Sequence, residues 1–341
     1  MQVPFPELTN LRLSYFSPVP PVVVIPDSFL NGSAPRLQYF NLRRIPFPGL
    51  PKLLLSATHF VELKLADPSH YIPPEAMAAL LSVSSSLRIF HLDFLFSRSR
   101  PASGLESRSL PLPKRFILPA LCEFHFLGHD EYLEDLAARI DSPKLDDTGS
   151  FIYNLWFDCL QLAQFIDRSP TLRVRDEAYV EFFDYSVTAA LPARSRTLMM
   201  GIGCGKPDHQ LSSVAQLCNS TLDPISAVEG LYIKHRYRKL VWENDAVNNT
   251  LWLQLLLPFT AVNNLYLSEE FALGIAATLQ GLVEGRRTKV LPSLQNIFIE
   301  WFNPLGSYQE NIRQFVAARQ LSDQHITISS WDRGYKPSKL M

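Results

Sequence analysis

Apolar positions in this chain recur in a short fixed pattern. Leu8-Thr-Asn-Leu11-Arg-Leu13 reads as one apolar position, two others, then strict alternation. The pattern returns at Leu37-Gln-Tyr-Phe40-Asn-Leu42, Phe60-Val-Glu-Leu63-Lys-Leu65, Leu87-Arg-Ile-Phe90-His-Leu92 and Leu121-Cys-Glu-Phe124-His-Phe126. It returns again at Val228-Glu-Gly-Leu231-Tyr-Ile233, Val262-Asn-Asn-Leu265-Tyr-Leu267 and Leu294-Gln-Asn-Ile297-Phe-Ile299. Alternation with a period of two predicts a short strand at each copy. The steps are 29, 23, 27 and 34 residues among the first five copies, and 34 and 32 among the last three. Between the copies the spacing changes to helical: Pro74–Ser84 opens on a first-turn proline, and Tyr132–Ile140 sets Leu133, Leu136, Ala137 and Ile140 on one face. Leu160–Ile166, Leu211–Leu217, Phe271–Val283 and Asn311–Gln320 read the same way.

A lone short strand cannot bury its apolar face, whereas copies stacked in parallel build a continuous core, with the return segments on the outside. The expected fold is therefore α/β: an irregular leucine-rich-repeat solenoid over residues 1–335, with a parallel concave sheet and helices and loops on the convex side. The region 145–205 lacks the clean motif, and Tyr179–Val187 and Leu198–Ile202 are expected to be long, degenerate rungs. His325–Trp331 is expected to be the last rung, and 336–341 a disordered tail. Ser97–Arg115 carries five basic residues and one Glu among serines and prolines, so it is expected to be a mobile insertion between rungs.

Composition narrows the partners. Of 341 residues 47% are hydrophobic and 19% charged, as in ordinary globular chains. A net charge of −1 offers no general attraction to nucleic acid or to an anionic membrane, and neither partner is expected. The longest apolar run, Leu251–Phe259, is interrupted by Gln254 and Pro258 and is far too short to span a bilayer. The opening residues show no basic or apolar leader pattern, so a cytoplasmic or nuclear location is expected and the sequons at Asn31, Asn219 and Asn248 are read as chance. None of Cys122, Cys159, Cys204 and Cys218 belongs to a C-x-x-C pair.

Motifs with chemical overtones do not complete themselves. Gly201-Ile-Gly-Cys-Gly-Lys206 lacks the first glycine and the hydroxyl residue of a phosphate-binding loop, since Met200 and Pro207 stand there. Cys122, His125 and His129 have zinc-like spacing, but alternation directs Cys122 and His125 to opposite faces. Ser338-Lys339-Leu340 would address a peroxisome only as the last three residues, and Met341 follows. Asp176, Glu177, Asp184 and His209 are neighbours only along the chain, and no nucleophile is set against a base. No enzyme activity, cofactor or metal is expected.

The recognition residues follow from the motif. If the last two apolar positions of each copy point into the core, the residue between them points to the open face. That position holds Arg12, Asn41, Lys64, His91 and His125, then Tyr232, Tyr266 and Phe298. The first group is polar or basic and the second aromatic. The aromatics either stack across neighbouring strands or contact a partner protein.

Over nearly its whole length the chain also resembles the C-terminal leucine-rich-repeat region of F-box domain proteins from mushroom-forming fungi. The stretches that carry the resemblance are Ile25–Leu65, Glu131–Asp147, Gln161–Pro170, Gln210–Ser220, Leu255–Phe271 and Ile312–Ser322. The resemblance implies the target-recognition part of a ubiquitin-ligase receptor. In that family an F-box of about forty residues stands upstream and docks on the ligase adaptor. Seven residues precede Leu8, so adaptor binding is expected only if an F-box lies upstream. A structural or regulatory leucine-rich-repeat protein with no link to ubiquitin ligase is the alternative. Many such repeats place Asn after the last Leu; here Ser14, Arg43, Ala66 and Asp93 stand there, so no asparagine ladder is expected.

Overall fold

The computed structural model describes residues 5–15, 24–26, 28–48, 50–68, 71–94, 114–152, 159–172, 176–193, 196–204, 206–220, 223–236, 246–281, 290–300, 309–321 and 324–332. Residues 95–113, which hold nearly all of the Ser/Pro/Arg-rich insertion, and the C-terminal tail lie outside them. The chain divides into two compact units, residues 1–173 and 174–341.

In the first unit the motif strands are β1 (Asn10–Ser14), β2 (Tyr39–Arg43), β3 (Glu62–Ala66), β4 (Ile89–Asp93) and β6 (Glu123–Gly128). They pair in parallel in chain order, and β8 (Asp147–Ile152) extends the series. Two-residue strands β5 (Phe116–Ile117) and β7 (Ile140–Asp141) make a separate parallel pair. Register places Leu11, Phe40, Leu63, Phe90 and Phe124 in one row and Leu13, Leu42, Leu65, Leu92 and Phe126 in the next. From β2 to β6 all of these are buried, and Phe90 stacks on Phe124 with ring centroids 5.7 Å apart.

Helices α1 (Leu50–Ser56), α2 (Pro74–Ser82), α3 (Asp130–Ala137) and α4 (Leu160–Asp167) return the chain, each packing on the next. Because consecutive strands are neighbours and such crossovers share one hand, the helices fall on one side of the sheet. Pro74 and Glu75 favour the first turn of α2, and Met77, Ala78, Leu80 and Leu81 form its buried face. Helix α4 has no side-chain cap from Cys159. Instead Glu134 of α3 accepts the backbone N–H groups of Gln161 and Leu162, both at 2.9 Å. Burial holds the Glu134 carboxyl above its ordinary pKa even against those two bonds.

The second unit opens differently from the sequence expectation. Tyr179–Val187 is not one long rung. Strand β9 (Glu177–Phe183) turns at Asp184-Tyr185 and comes back as β10 (Ser186–Ala193), antiparallel to it. Strand β11 (Arg196–Gly203), which contains Leu198–Ile202, is antiparallel to β10. Parallel pairing resumes with β12 (Gly230–His235) beside β9, followed by β13 (Asn264–Leu267), β14 (Asn296–Glu300) and β15 (Thr327–Trp331). Helices α5 (Pro207–Ser220), α6 (Ala246–Leu256), α7 (Glu269–Gly281) and α8 (Gln309–Gln320) pack one on the next. Each unit is therefore α/β, and the strands are mostly parallel. Among the described residues no helix is long and apolar enough to cross a membrane.

An amide ladder does exist, at a position the motif rule did not consider. Asn296 donates from Nδ2 to Oδ1 of Asn264 at 2.8 Å, and the Thr327 hydroxyl donates to Oδ1 of Asn296. These residues stand before the paired apolar positions rather than after them. The ladder runs up the side of the sheet away from the buried Leu231, Leu265 and Ile297.

Candidate functional site

Register brings the expected recognition residues together in two lanes, one per unit. In the first, Arg12, Asn41, Lys64, His91 and His125 are direct partners on successive strands. The lane continues to Gly149, which has no side chain. Arg12 is exposed and the other four are half-buried. Lys64 Nζ lies 3.1 Å from Oε1 of Glu62, two residues back on the same strand and therefore on the same face.

The centre of this lane is a compact polar cluster. Oε1 of Glu123 lies 2.6 Å from Nε2 of His91 and 3.2 Å from Nε2 of His125. The two imidazole rings meet edge to face with centroids 4.4 Å apart. A carboxylate only accepts, so the His91 ring carries its hydrogen on Nε2 and donates it to Glu123, while His125 Nε2 approaches the same oxygen. Burial lowers the His91 pKa, outweighing the Glu123 hydrogen bond, with His125 and Lys64 pushing the same way. The His91–Glu123 contact at neutral pH is thus a hydrogen bond donated by a neutral ring rather than an ion pair.

The set Cys122, His125 and His129 does not form around this cluster. The Cys122 thiol donates to the backbone carbonyl of Arg88 at 3.3 Å. His129 stands at the position before the first turn of α3. His125 turns instead to Glu123 and His91.

In the second unit Tyr232, Tyr266 and Phe298 are direct partners, and Tyr179 of β9 precedes them. Their rings form one continuous stack. Centroid separations are 4.4 Å for Tyr179–Tyr232, 4.1 Å for Tyr232–Tyr266 and 4.6 Å for Tyr266–Phe298, with planes within 10° of parallel. Trp331 lies edge-on at 6.0 Å from Tyr232 and 5.5 Å from Tyr266, and its indole N–H donates to the carbonyl of Leu267. Lys234 Nζ sits 4.7, 5.1 and 5.3 Å from the rings of Tyr179, Tyr232 and Trp331. These covers leave Tyr232 only 4% exposed and Tyr266 8%. The Tyr179 hydroxyl donates to Glu177 at 2.9 Å. Burial, then the Glu177 hydrogen bond and charge, raise the Tyr179 pKa; burial followed by the Glu177 charge raises that of Tyr232.

Four residues of the two lanes escaped the motif rule: Glu123, Tyr179, Lys234 and Trp331. Glu123 was legible, because it lies two residues before His125 and period-two alternation puts both on one face. Tyr179 was hidden by a strand without the motif, and Trp331 and Lys234 lie outside the position between the paired apolar residues.

No protein-family model matches the chain, and comparisons with curated proteins and with solved structures found no match.

Proposed function

We propose that the chain is a non-catalytic protein-interaction module that holds a protein target on the face of its first-unit sheet opposite helices α1–α4. One observation carries the reading. Parallel sheets ordinarily lie buried on both faces. Here consecutive strand order puts the helices on one side, and the opposite side of β1–β6 keeps Arg12, Asn41, Lys64, His91 and His125 in an in-register lane with solvent access. Five residues on strands about 4.8 Å apart span roughly 19 Å, enough for an extended segment of a partner. The aromatic lane of the second unit does a different job in this reading: Tyr232 and Tyr266 stiffen their sheet, Phe298 ends the stack and Trp331 covers it edge-on.

The finer version is a leucine-rich-repeat solenoid serving as the target-recognition part of an F-box-type ubiquitin-ligase receptor. The recurring strand motif and the resemblance of the chain to that family support it.

Quantitative recovery of bound proteins from cells tests the reading with three variants. Lys64→Ala/His91→Ala loses proteins that the wild type recovers, whereas Lys52→Ala, altered at an exposed position on α1, retains them. Equal recovery with the two variants contradicts the proposal. The receptor version adds that a protein lost by Lys64→Ala/His91→Ala has a longer cellular lifetime when that variant replaces the wild type. An unchanged lifetime rejects the ligase connection while leaving the binding face intact. Tyr232→Ala/Tyr266→Ala lowers thermal stability, and loss of partners without loss of stability would show that the aromatic lane binds directly.

A further inference from the structure

We infer that His91, Glu123 and His125 form a binding site for a divalent transition-metal cation of the zinc class. The inference stands apart from the protein-binding reading, since it rests only on donor chemistry and strand geometry. Two imidazoles and one carboxylate are a donor set that zinc accepts, with a fourth position left to water. One ligand atom from each residue lies within 4.8 Å of the other two. Around a tetrahedral ion with bonds near 2.1 Å, donor atoms stand about 3.4 Å apart. The separations from Glu123 Oε1 to the two Nε2 atoms, 2.6 Å to His91 and 3.2 Å to His125, both fall short of that spacing, the second only slightly. Entry of the ion needs the His91 ring hydrogen to move from Nε2 to Nδ1 by exchange with solvent, so that both Nε2 lone pairs and the carboxylate face the metal, and the donor atoms to spread to about 3.4 Å.

The backbone holds the donors in place. His91 and His125 are direct partners on the parallel strands β4 and β6, so their Cα separation is set by sheet pairing. Glu123 is two residues before His125 and shares its face. Sites built on strands are positioned more rigidly than sites on loops. The cluster also has an approach path: the side chains of His91, Glu123 and His125 are 29%, 30% and 35% exposed. Gly149, the partner of His125 on β8, adds no side chain on that flank. Lys64, the nearest cation in the lane, has Glu62 as its counter-charge at 3.1 Å.

The test uses the full chain without an affinity tag, stripped with chelator and titrated with Zn²⁺ by calorimetry against a competing chelator. One equivalent of Zn²⁺ is expected to bind and to raise the unfolding temperature by mass action. Loss of an outer partner of a metal ligand costs about 10–100-fold in affinity, so His91→Ala and His125→Ala are expected to weaken binding by no less than about 100-fold. Glu123→Gln preserves shape and should also weaken it. Co²⁺ in place of Zn²⁺ should give visible absorption bands that disappear in the same variants. Each variant is checked for an unchanged metal-free unfolding temperature, so that lost binding is not lost folding. Absence of binding, or binding and bands that survive in His91→Ala/His125→Ala, overturns the inference.

Discussion

Tyr232 and Tyr266 face each other across two parallel strands with their ring centroids 4.1 Å apart and their planes 7° from parallel. The pair lies inside a longer stack and is covered by Lys234 and Trp331. Its energetic weight is therefore that of a buried core pair. Tyr232→Ala should cost about 3–5 kcal/mol in the stability of the second unit. Tyr232→Phe keeps the stack and should cost about 1 kcal/mol, the worth of one hydroxyl interaction. Equilibrium denaturation separates the cases, and similar losses in both variants would argue that the stack contributes little.

Glu134 links two helices by capping one from the other. Glu134→Ala leaves the N–H groups of Gln161 and Leu162 without their acceptor and should destabilise the first unit by about 1–3 kcal/mol. Amide exchange at residues 161 and 162 should accelerate more than at the centre of α4. If exchange rises evenly along the helix, the loss is one of general packing and not of the cap.

Asp93 makes the fold pH-sensitive. Burial, followed by the neighbouring Asp67 charge, raises its carboxyl to about 6 from 3.8, with Arg43 opposing the shift. The folded state binds this proton more tightly than the unfolded state. Its contribution is fully present below about pH 4 and is lost as pH rises through about 6. Asp93→Asn should thus raise the unfolding temperature relative to wild type at pH 7.5, and the difference should shrink below pH 4. A difference that is constant from pH 3.5 to 7.5 would mean that Asp93 does not titrate in this way.

The parallel strands β2, β3, β4, β6, β12, β13 and β14 were legible because each carries two buried apolar residues flanking the position between them, a signal set by the pleat itself. Strand β8 was not, because Thr148 and Ser150 occupy the buried positions that Phe124 and Phe126 hold on its neighbour. The β9–β10 hairpin escaped because its two-residue turn, Asp184-Tyr185, contains no glycine to mark a reversal. Helix α1 carries only seven residues, too few for a helical period to stand out. The lanes followed from the motif rule once register was regular. What the rule could not supply was depth. It assigned Tyr232 and His91 to the same face, and only the packing of Trp331 and Lys234 distinguishes a covered tyrosine from an accessible histidine.

Covalent side-chain labelling tests the binding face most directly. Once a partner has been recovered, histidine- and lysine-specific reagents are applied to the free chain and to the complex, and modification is read residue by residue. Lys64, His91 and His125 are expected to become protected in the complex, while Lys52 on α1 and His209 on α5, both exposed, label as before. Protection at Lys52 or His209 with unchanged labelling at Lys64 and His91 would place the partner on the helices of one unit and contradict binding at the first-unit lane.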